Sequence, residues 1–126
     1  MTSANMIEES VRTILSKEYG VALTKRRLTL QRKKHDGSAK RHEFDLVSPD
    51  QRIVGEVKSY KYTRKAQANT RFPRMMLDCW YLTLVKADIK LMILTDETFY
   101  KEFQKNSNGL LPPSIKIFHC PVPHPH

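Results

Sequence analysis

The sequence predicts an α/β fold, and three stretches carry this prediction. Residues 6–19 place apolar side chains at helical spacing before a glycine that suits a helix end. Residues 42–58 alternate apolar and polar side chains on both sides of a turn sequence, which is typical of a β-hairpin. Residues 89–94, IKLMIL, form a continuous apolar run, which indicates a strand buried on both faces. Helices on both sides of the sheet would bury it in this way.

The rest of the chain completes the order helix, three strands, helix, strand, helix, strand. Leu28 and Leu30 alternate with polar residues, and Pro73 suits the first position of a helix that is apolar nearly all round, with Trp80 in the core. The remaining predicted elements are a strand at 21–34, a loop or frayed helical entry at 59–71, a helix from 95 to about 105, and a peripheral strand at 115–119. Residues 1–120 form one domain in this interpretation, and residues 121–126 form a frayed tail.

Composition narrows the class of partner. The 126 residues suit one domain, and 22 Lys and Arg against 13 Asp and Glu give a net charge of +9. This balance favours a polyanion, with nucleic acid, ribosomes, anionic lipid or acidic proteins all open. Cys79 and Cys120 have no metal-binding spacing and are interpreted as a core residue and a tail residue. No membrane-length apolar run or signal peptide is present, so we expect a cytoplasmic protein with no membrane partner.

The hairpin gathers acidic groups and a lysine. With Ser48–Gln51 as the loop, Val47 faces Arg52, and alternation puts Phe44 and Leu46 on one face and Asp45, Val47, Glu56 and Lys58 on the other. Asp45 and Glu56 are then diagonal neighbours, roughly 7 Å apart at the backbone, and both carboxylates could reach one cation. Such a cluster in a covered sheet would be costly without a cation.

Asp45 followed by Glu56-Val57-Lys58 on the next strand resembles the motif of the PD-(D/E)xK nuclease superfamily, although Phe44 replaces the usual proline. The predicted element order is similar to that superfamily's restriction-endonuclease-like fold, with an αβββαβ core, a mixed sheet flanked by helices, and here a small C-terminal helix-strand addition. The small size resembles that of archaeal Holliday-junction resolvases.

The resemblance implies a metal-dependent endonuclease that hydrolyses DNA. Asp45 and Glu56 would be ligands of Mg²⁺, for which Mn²⁺ could substitute, with the Val57 backbone carbonyl as a third ligand. Lys58 would orient the attacking water. A glutamate of the first helix often joins such sites, which points to Glu8, with Glu18 and a merely structural role both open. Gln67 is a candidate near the scissile phosphate.

Basic residues flank the hairpin in sequence. They are interpreted either as a solvated surface or, as we prefer, as DNA contacts. The set comprises Arg26, Arg27, Arg32, Lys33, Lys34, Lys61, Arg64 and Lys65.

Two other functions compete with the nuclease. One is a catalytically inactive DNA-binding module on the same fold. The other is an RNA- or protein-binding domain with a chance Glu-x-Lys, which requires the charged face of the hairpin to be open to solvent. For a nuclease that cuts both strands of a duplex with one site per chain, a symmetric homodimer is expected.

Overall fold

The computed structural model describes residues 4–122. Its helices and strands follow the predicted order. They are α1 (Ala4–Tyr19), β1 (Thr24–Lys33), β2 (Ala39–Val47), β3 (Ile53–Lys58), α2 (Lys65–Thr83), β4 (Ile89–Leu94), α3 (Glu97–Ser107) and β5 (Ile115–His119).

The five strands form one mixed sheet in the order β1-β2-β3-β4-β5. Neighbours are antiparallel from β1 to β3 and parallel from β3 to β5. The α/β class and the mixed sheet flanked by helices are thus confirmed, and β5 is an edge strand as expected. None of the helices in residues 4–122 combines the length and the apolar character needed to cross a bilayer.

Each face of the sheet buries its own apolar core. On the α1 face, Val11 and Leu15 of α1 pack with Leu46, Val57 and Ile93 of the strands. The opposite α2 face is covered by α2 and α3. The core on this face contains Met75, Cys79 and Leu82 of α2 and Phe99 and Phe103 of α3, together with Phe44, Val47, Val54, Met92 and Leu94 of the strands. β4 contributes to both cores, which explains why its sequence is apolar throughout.

Three expectations outside the sheet are wrong. α2 begins at Lys65, eight residues before Pro73, so the proline lies inside the helix rather than at its start. Trp80 is 55% exposed, because it lies on the outer side of α2 while Cys79 faces the sheet. Cys120 and Val122 pack into the core of the α1 face, so the chain is still ordered where the tail was expected to begin; residues 123–126 lie outside the described part.

The hairpin turn lies one residue later than expected. Ser48 N–H donates to the Ile53 carbonyl, and Ile53 N–H donates to Ser48 Oγ, so these two residues close the turn. Asp50 accepts hydrogen bonds from Ser48 Oγ and Arg52 N–H, and Gln51 adopts a positive φ of 61°. Val47 therefore pairs with Val54 and not with Arg52.

A β-bulge interrupts β2 next to the predicted site. Thr24 pairs with Val47, but Arg26 pairs with Phe44, so β2 carries one residue more than β1 across this interval. The extra residue places Phe44 in the same core as Val47, on the α2 face. The expected grouping of Phe44 with Leu46 is therefore wrong, and simple alternation does not hold through Asp45.

Gly55 has no room for a side chain on the α1 face. A Cβ atom at this position would lie 2.9 Å from Leu46 Cδ1 and 3.2 Å from the Leu91 carbonyl oxygen. We expect Gly55→Ala to lower the free energy of unfolding by about 1–3 kcal/mol, because the leucine must move within a close-packed core. Urea denaturation followed by circular dichroism measures this change. An unchanged midpoint and slope would contradict the tight packing.

Candidate functional site

Lys58 and Asp78 form a buried ion pair between β3 and α2. Lys58 Nζ lies 2.5 Å from Asp78 Oδ2, and the two side chains are 15% and 4% exposed. Despite this contact, Oδ2 has no partner with hydrogen-bond geometry among the described residues. The pKa of Lys58 is lowered by burial and raised more strongly by Asp78 and Glu56, with a net upward shift. Lys58 is therefore held as an ammonium ion.

Glu56 lies two residues before Lys58 and points to the same α2 face. Its Oε1 lies 3.2 Å from His42 Nε2, and its side chain is 6% exposed. The His42 ring stacks on Tyr81 of α2, with ring centroids 4.0 Å apart, and meets the edge of Phe44 at 4.7 Å. These two rings fix the imidazole so that Nε2 faces the Glu56 carboxylate. We call His42, Glu56, Lys58 and Asp78 the α2-face cluster.

The pKa of Glu56 is raised from 4.5 to about 7. Burial is the largest cause, and the charges of Asp45 and Asp78 raise the pKa further, while His42 and Lys58 oppose the shift. The carboxyl group of Glu56 is thus poised to gain or lose a proton near neutral pH. A divalent cation would bind the ionised form.

Asp45 is buried beside this cluster but has a different setting. Its Oδ2 accepts a hydrogen bond of 2.8 Å from Val57 N–H, which places the carboxylate between β2 and β3, close to the plane of the sheet. The Asp45 carboxylate thereby takes the place of a backbone carbonyl of β2 as the acceptor for this N–H group of β3, next to the bulge. From the α1 face, Arg12 Nη1 donates to the Asp45 carbonyl at 3.0 Å. Asp45 is near enough to influence the pKa of Glu56.

Glu8 does not reach the α2-face cluster. Its Oε2 lies 3.5 Å from Lys25 Nζ, and the same ammonium lies 3.8 Å from Glu43 Oε1. Lys25 and Glu43 belong to β1 and β2, so Glu8 pairs with the strands beside the bulge. Glu18, the alternative in α1, has no ion pair within 4.0 Å among residues 4–122.

Gln67 lies in the first turn of α2, eleven residues before Asp78. A helix rises 1.5 Å per residue, so the two side chains are separated by roughly 16 Å along the axis. Gln67 Oε1 accepts a hydrogen bond from Thr63 Oγ1, and Gln67 lines an open cavity of about 400 Å³ with Arg64 and Arg71. Gln67 therefore lies at the N-terminal end of α2 and is not part of the α2-face cluster.

The predicted DNA-contacting residues lie mostly at one end of the sheet. β1 ends where β2 begins, since Lys33 pairs with Ala39, and β3 runs antiparallel to β2, so the C-terminal end of β3 points toward this same end of the sheet. Arg32 and Lys33 are the last two residues of β1, Lys34 follows them, and the chain after Lys58 continues from the C-terminal end of β3. We call this region the basic end of the sheet. Its predicted residues are exposed, and they comprise Arg32, Lys33, Lys34, Lys61, Arg64 and Lys65. Arg26 and Arg27 lie further back on edge strand β1.

Three side chains could together hold a metal ion. His42, Glu56 and Asp78 can each offer one ligand atom, and these atoms all lie within 4.8 Å of one another. Asp45 is not in this group. The predicted ligands, Asp45, Glu56 and the Val57 carbonyl, offer only oxygen atoms. One of the two Asp45 carboxylate oxygens already accepts a hydrogen bond from Val57 N–H.

The sequence interpretation omitted His42 and Asp78 from the site. A signal existed for Asp78, because a lone carboxylate stands three residues after Met75 and four before Leu82, on the buried face of an apolar helix. His42 had a weaker signal. It shares a face with Glu56 only because the bulge at Asp45 shifts the alternation of β2.

Comparison with known proteins adds no name to this site: no family model, curated protein or solved structure matches the chain. The class that the fold defines is an α/β domain with a five-stranded mixed sheet. Of the charged residues predicted on one face of its hairpin, Asp45 and Glu56 are buried, whereas Glu43 and Arg52 are exposed.

Proposed function

We propose that the protein is a metal-dependent endonuclease that hydrolyses phosphodiester bonds in DNA. The observation that carries the proposal is the placement of buried Glu56 and largely buried Lys58 on one face of β3, while the Asp45 carboxylate accepts a hydrogen bond from Val57, the residue between them. The order α1β1β2β3α2β4 is the order that the resemblance to the restriction-endonuclease-like fold leads one to expect, and this supports the proposal.

The charge distribution supports a nucleic-acid substrate. Lys58 ends β3 at the basic end of the sheet, where lysine and arginine side chains are exposed on two separate segments. A DNA backbone bound there would be attracted through its phosphates. The net charge of +9 has the sign that such binding requires.

The oxygen ligands of the proposed Mg²⁺ fit a hard cation. Glu56 and Asp45 are buried carboxylates beside each other, and Mg²⁺ is commonly held by one or two such groups and substrate phosphate. When bound, the ion would activate a water molecule and offset charge that develops on the phosphate. Lys58 contributes a second positive charge, because Asp78 keeps it protonated.

A catalytically inactive DNA-binding module is the second candidate, and a specific observation favours it. Lys58 is ion-paired with Asp78, and one Asp45 oxygen accepts a hydrogen bond from Val57 N–H, so the charge of Lys58 and this Asp45 oxygen have partners without an ion. In this case the cluster is a structural element. The basic end would still bind DNA.

Cleavage assays separate the two candidates. Purified protein is incubated with supercoiled plasmid, linear duplex, single-stranded DNA and a four-way junction, with Mg²⁺, with Mn²⁺ and with EDTA. We expect cleavage that requires the metal, and a loss of about 100-fold or more in Asp45→Asn, Glu56→Gln and Lys58→Met, since each variant removes a charge from the reaction centre.

Glu43→Gln is the matched control, because Glu43 lies on β2 two residues before Asp45 and is 51% exposed. It should cut like the unmodified protein. Salt-sensitive DNA binding without any product in either metal would reject the nuclease and support the binding module. A homodimer and a cytoplasmic location remain predictions.

A further inference from the structure

We infer that His42, Glu56 and Asp78 form a binding site for a first-row transition-metal dication, distinct in two of its three ligands from the motif-derived Mg²⁺ set. The inference rests on the proposed function in one respect, that Glu56 is a metal ligand. It adds a histidine of β2 and an aspartate of α2, neither of which belongs to the motif.

Geometry is the first support. Ligand atoms that are each 2.0–2.2 Å from one ion lie at most about 4.4 Å apart. The three candidate atoms already lie within 4.8 Å of one another, so closing around an ion requires side-chain movements of less than about 1 Å. Stacking on Tyr81 holds the His42 ring in place, and this pre-organisation reduces the cost of binding.

Charge is the second support. Asp45, Glu56 and Asp78 are three buried carboxylic acids, and among residues 4–122 Lys58 is the one lysine ion-paired with any of them. Buried carboxylates require compensation, which a dication supplies. Asp78 Oδ2 is fully buried and, although the Lys58 ammonium lies 2.5 Å away, it has no hydrogen-bond partner among the described residues, as expected for a carboxylate that could bind an ion. His42 and Lys58 remain 22% and 15% exposed, so an ion can enter beside them.

The ligand types indicate which cation binds. An imidazole nitrogen with two carboxylates suits Zn²⁺, Mn²⁺ or Fe²⁺, whereas Mg²⁺ prefers oxygen ligands alone. His42 therefore shifts the preference of this site away from Mg²⁺. We expect Zn²⁺ to bind more tightly than Mn²⁺, following the general order of affinities, and Mg²⁺ to bind most weakly.

Calorimetric titration of the EDTA-treated full chain with Zn²⁺, Mn²⁺ and Mg²⁺ tests the site. All proteins carry His124→Gln and His126→Gln, so that histidines at the C-terminus cannot account for binding. We expect one Zn²⁺ per chain, and His42→Phe should weaken Zn²⁺ binding by at least about tenfold, since phenylalanine keeps the stacking and removes the nitrogen. Asp78→Asn should have a similar effect, and circular dichroism shows whether each variant is folded.

His119→Phe is the matched control, because His119 also stacks on a tyrosine, Tyr100, at the far edge of the sheet. It should leave Zn²⁺ affinity unchanged. Equal Zn²⁺ affinity in His42→Phe and the parent protein, or Zn²⁺ binding no tighter than Mg²⁺ binding, would overturn the inference. Because the readout is binding, Zn²⁺ binding lost in His42→Phe supports the site even if no DNA is cut. If the parent protein does not bind Zn²⁺ tightly, and His42→Phe still cleaves DNA with Mg²⁺, the transition-metal site is refuted but the proposed nuclease is not.

Discussion

Replacement of Asp78 with alanine should lower the free energy of unfolding by about 3–5 kcal/mol, the largest loss that we expect from a single polar residue of this protein. The substitution leaves Lys58 with its ammonium group buried and without its nearest counter-ion. A mostly buried ammonium that keeps only the Glu56 carboxylate nearby costs more than the lost attraction between two exposed groups. Urea denaturation of the metal-free protein at neutral pH measures the effect.

The exposed ion pair between Arg52 and Asp88 provides the control. These two groups are 2.7 Å apart, about as close as Lys58 and Asp78, but their side chains are 70% and 64% exposed. Asp88→Ala should therefore cost less than about 1 kcal/mol. The double variant Lys58→Met with Asp78→Leu should recover most of the loss, because apolar residues of similar size can replace a buried pair. A cost for Asp78→Ala no greater than that for Asp88→Ala would contradict the assigned role of the pair.

Sequence patterns predict the strands better than the details of their pairing. Strands at 89–94 and 115–119 were predicted with their observed bounds, since a continuous apolar run or a run between turn residues needs no partner to be recognised. The hairpin register was wrong by two residues, because the Ser48 hydroxyl and the Asp50 carboxylate bind turn N–H groups and delay the turn. Side-chain hydrogen bonds of this kind are not visible in alternation.

The candidate site was predictable to a similar degree. Glu56 and Lys58 lie on the same α2-covered face of β3, as their spacing on a strand implies. Asp45 does not simply join them, because the bulge turns its carboxylate to Val57 N–H. Asp78 belongs to α2 and lies 20 residues after Lys58 in the sequence. Only the packing of α2 on the sheet brings these two side chains together.

Glu56 couples the site to stability. We expect Glu56→Gln to stabilise the metal-free protein at pH 8, by up to about 3 kcal/mol, while abolishing metal-dependent cleavage. In the folded protein the pKa of Glu56 is about 7, against 4.5 for the free side chain. The folded state therefore binds the proton more tightly than the unfolded state, and stability falls as pH rises between these two values.

The upward direction of the Glu56 pKa shift determines how the stability gained by Glu56→Gln depends on pH. Below pH 4.5 the carboxyl group is protonated in both states, so glutamine should change stability little; the gain should grow from pH 4.5 to 7 and stay constant above it. Urea denaturation in EDTA at pH 4.5, 6 and 8 measures this profile, and Glu43→Gln on the exposed surface of β2 should show no such gain. A dication that binds ionised Glu56 would reverse the order, stabilising the unmodified protein and not Glu56→Gln. A lower free energy of unfolding for Glu56→Gln than for the parent at pH 8 in EDTA would show that the ionised carboxylate does not destabilise the metal-free protein. The energetic argument for a cation beside Glu56 would then fail.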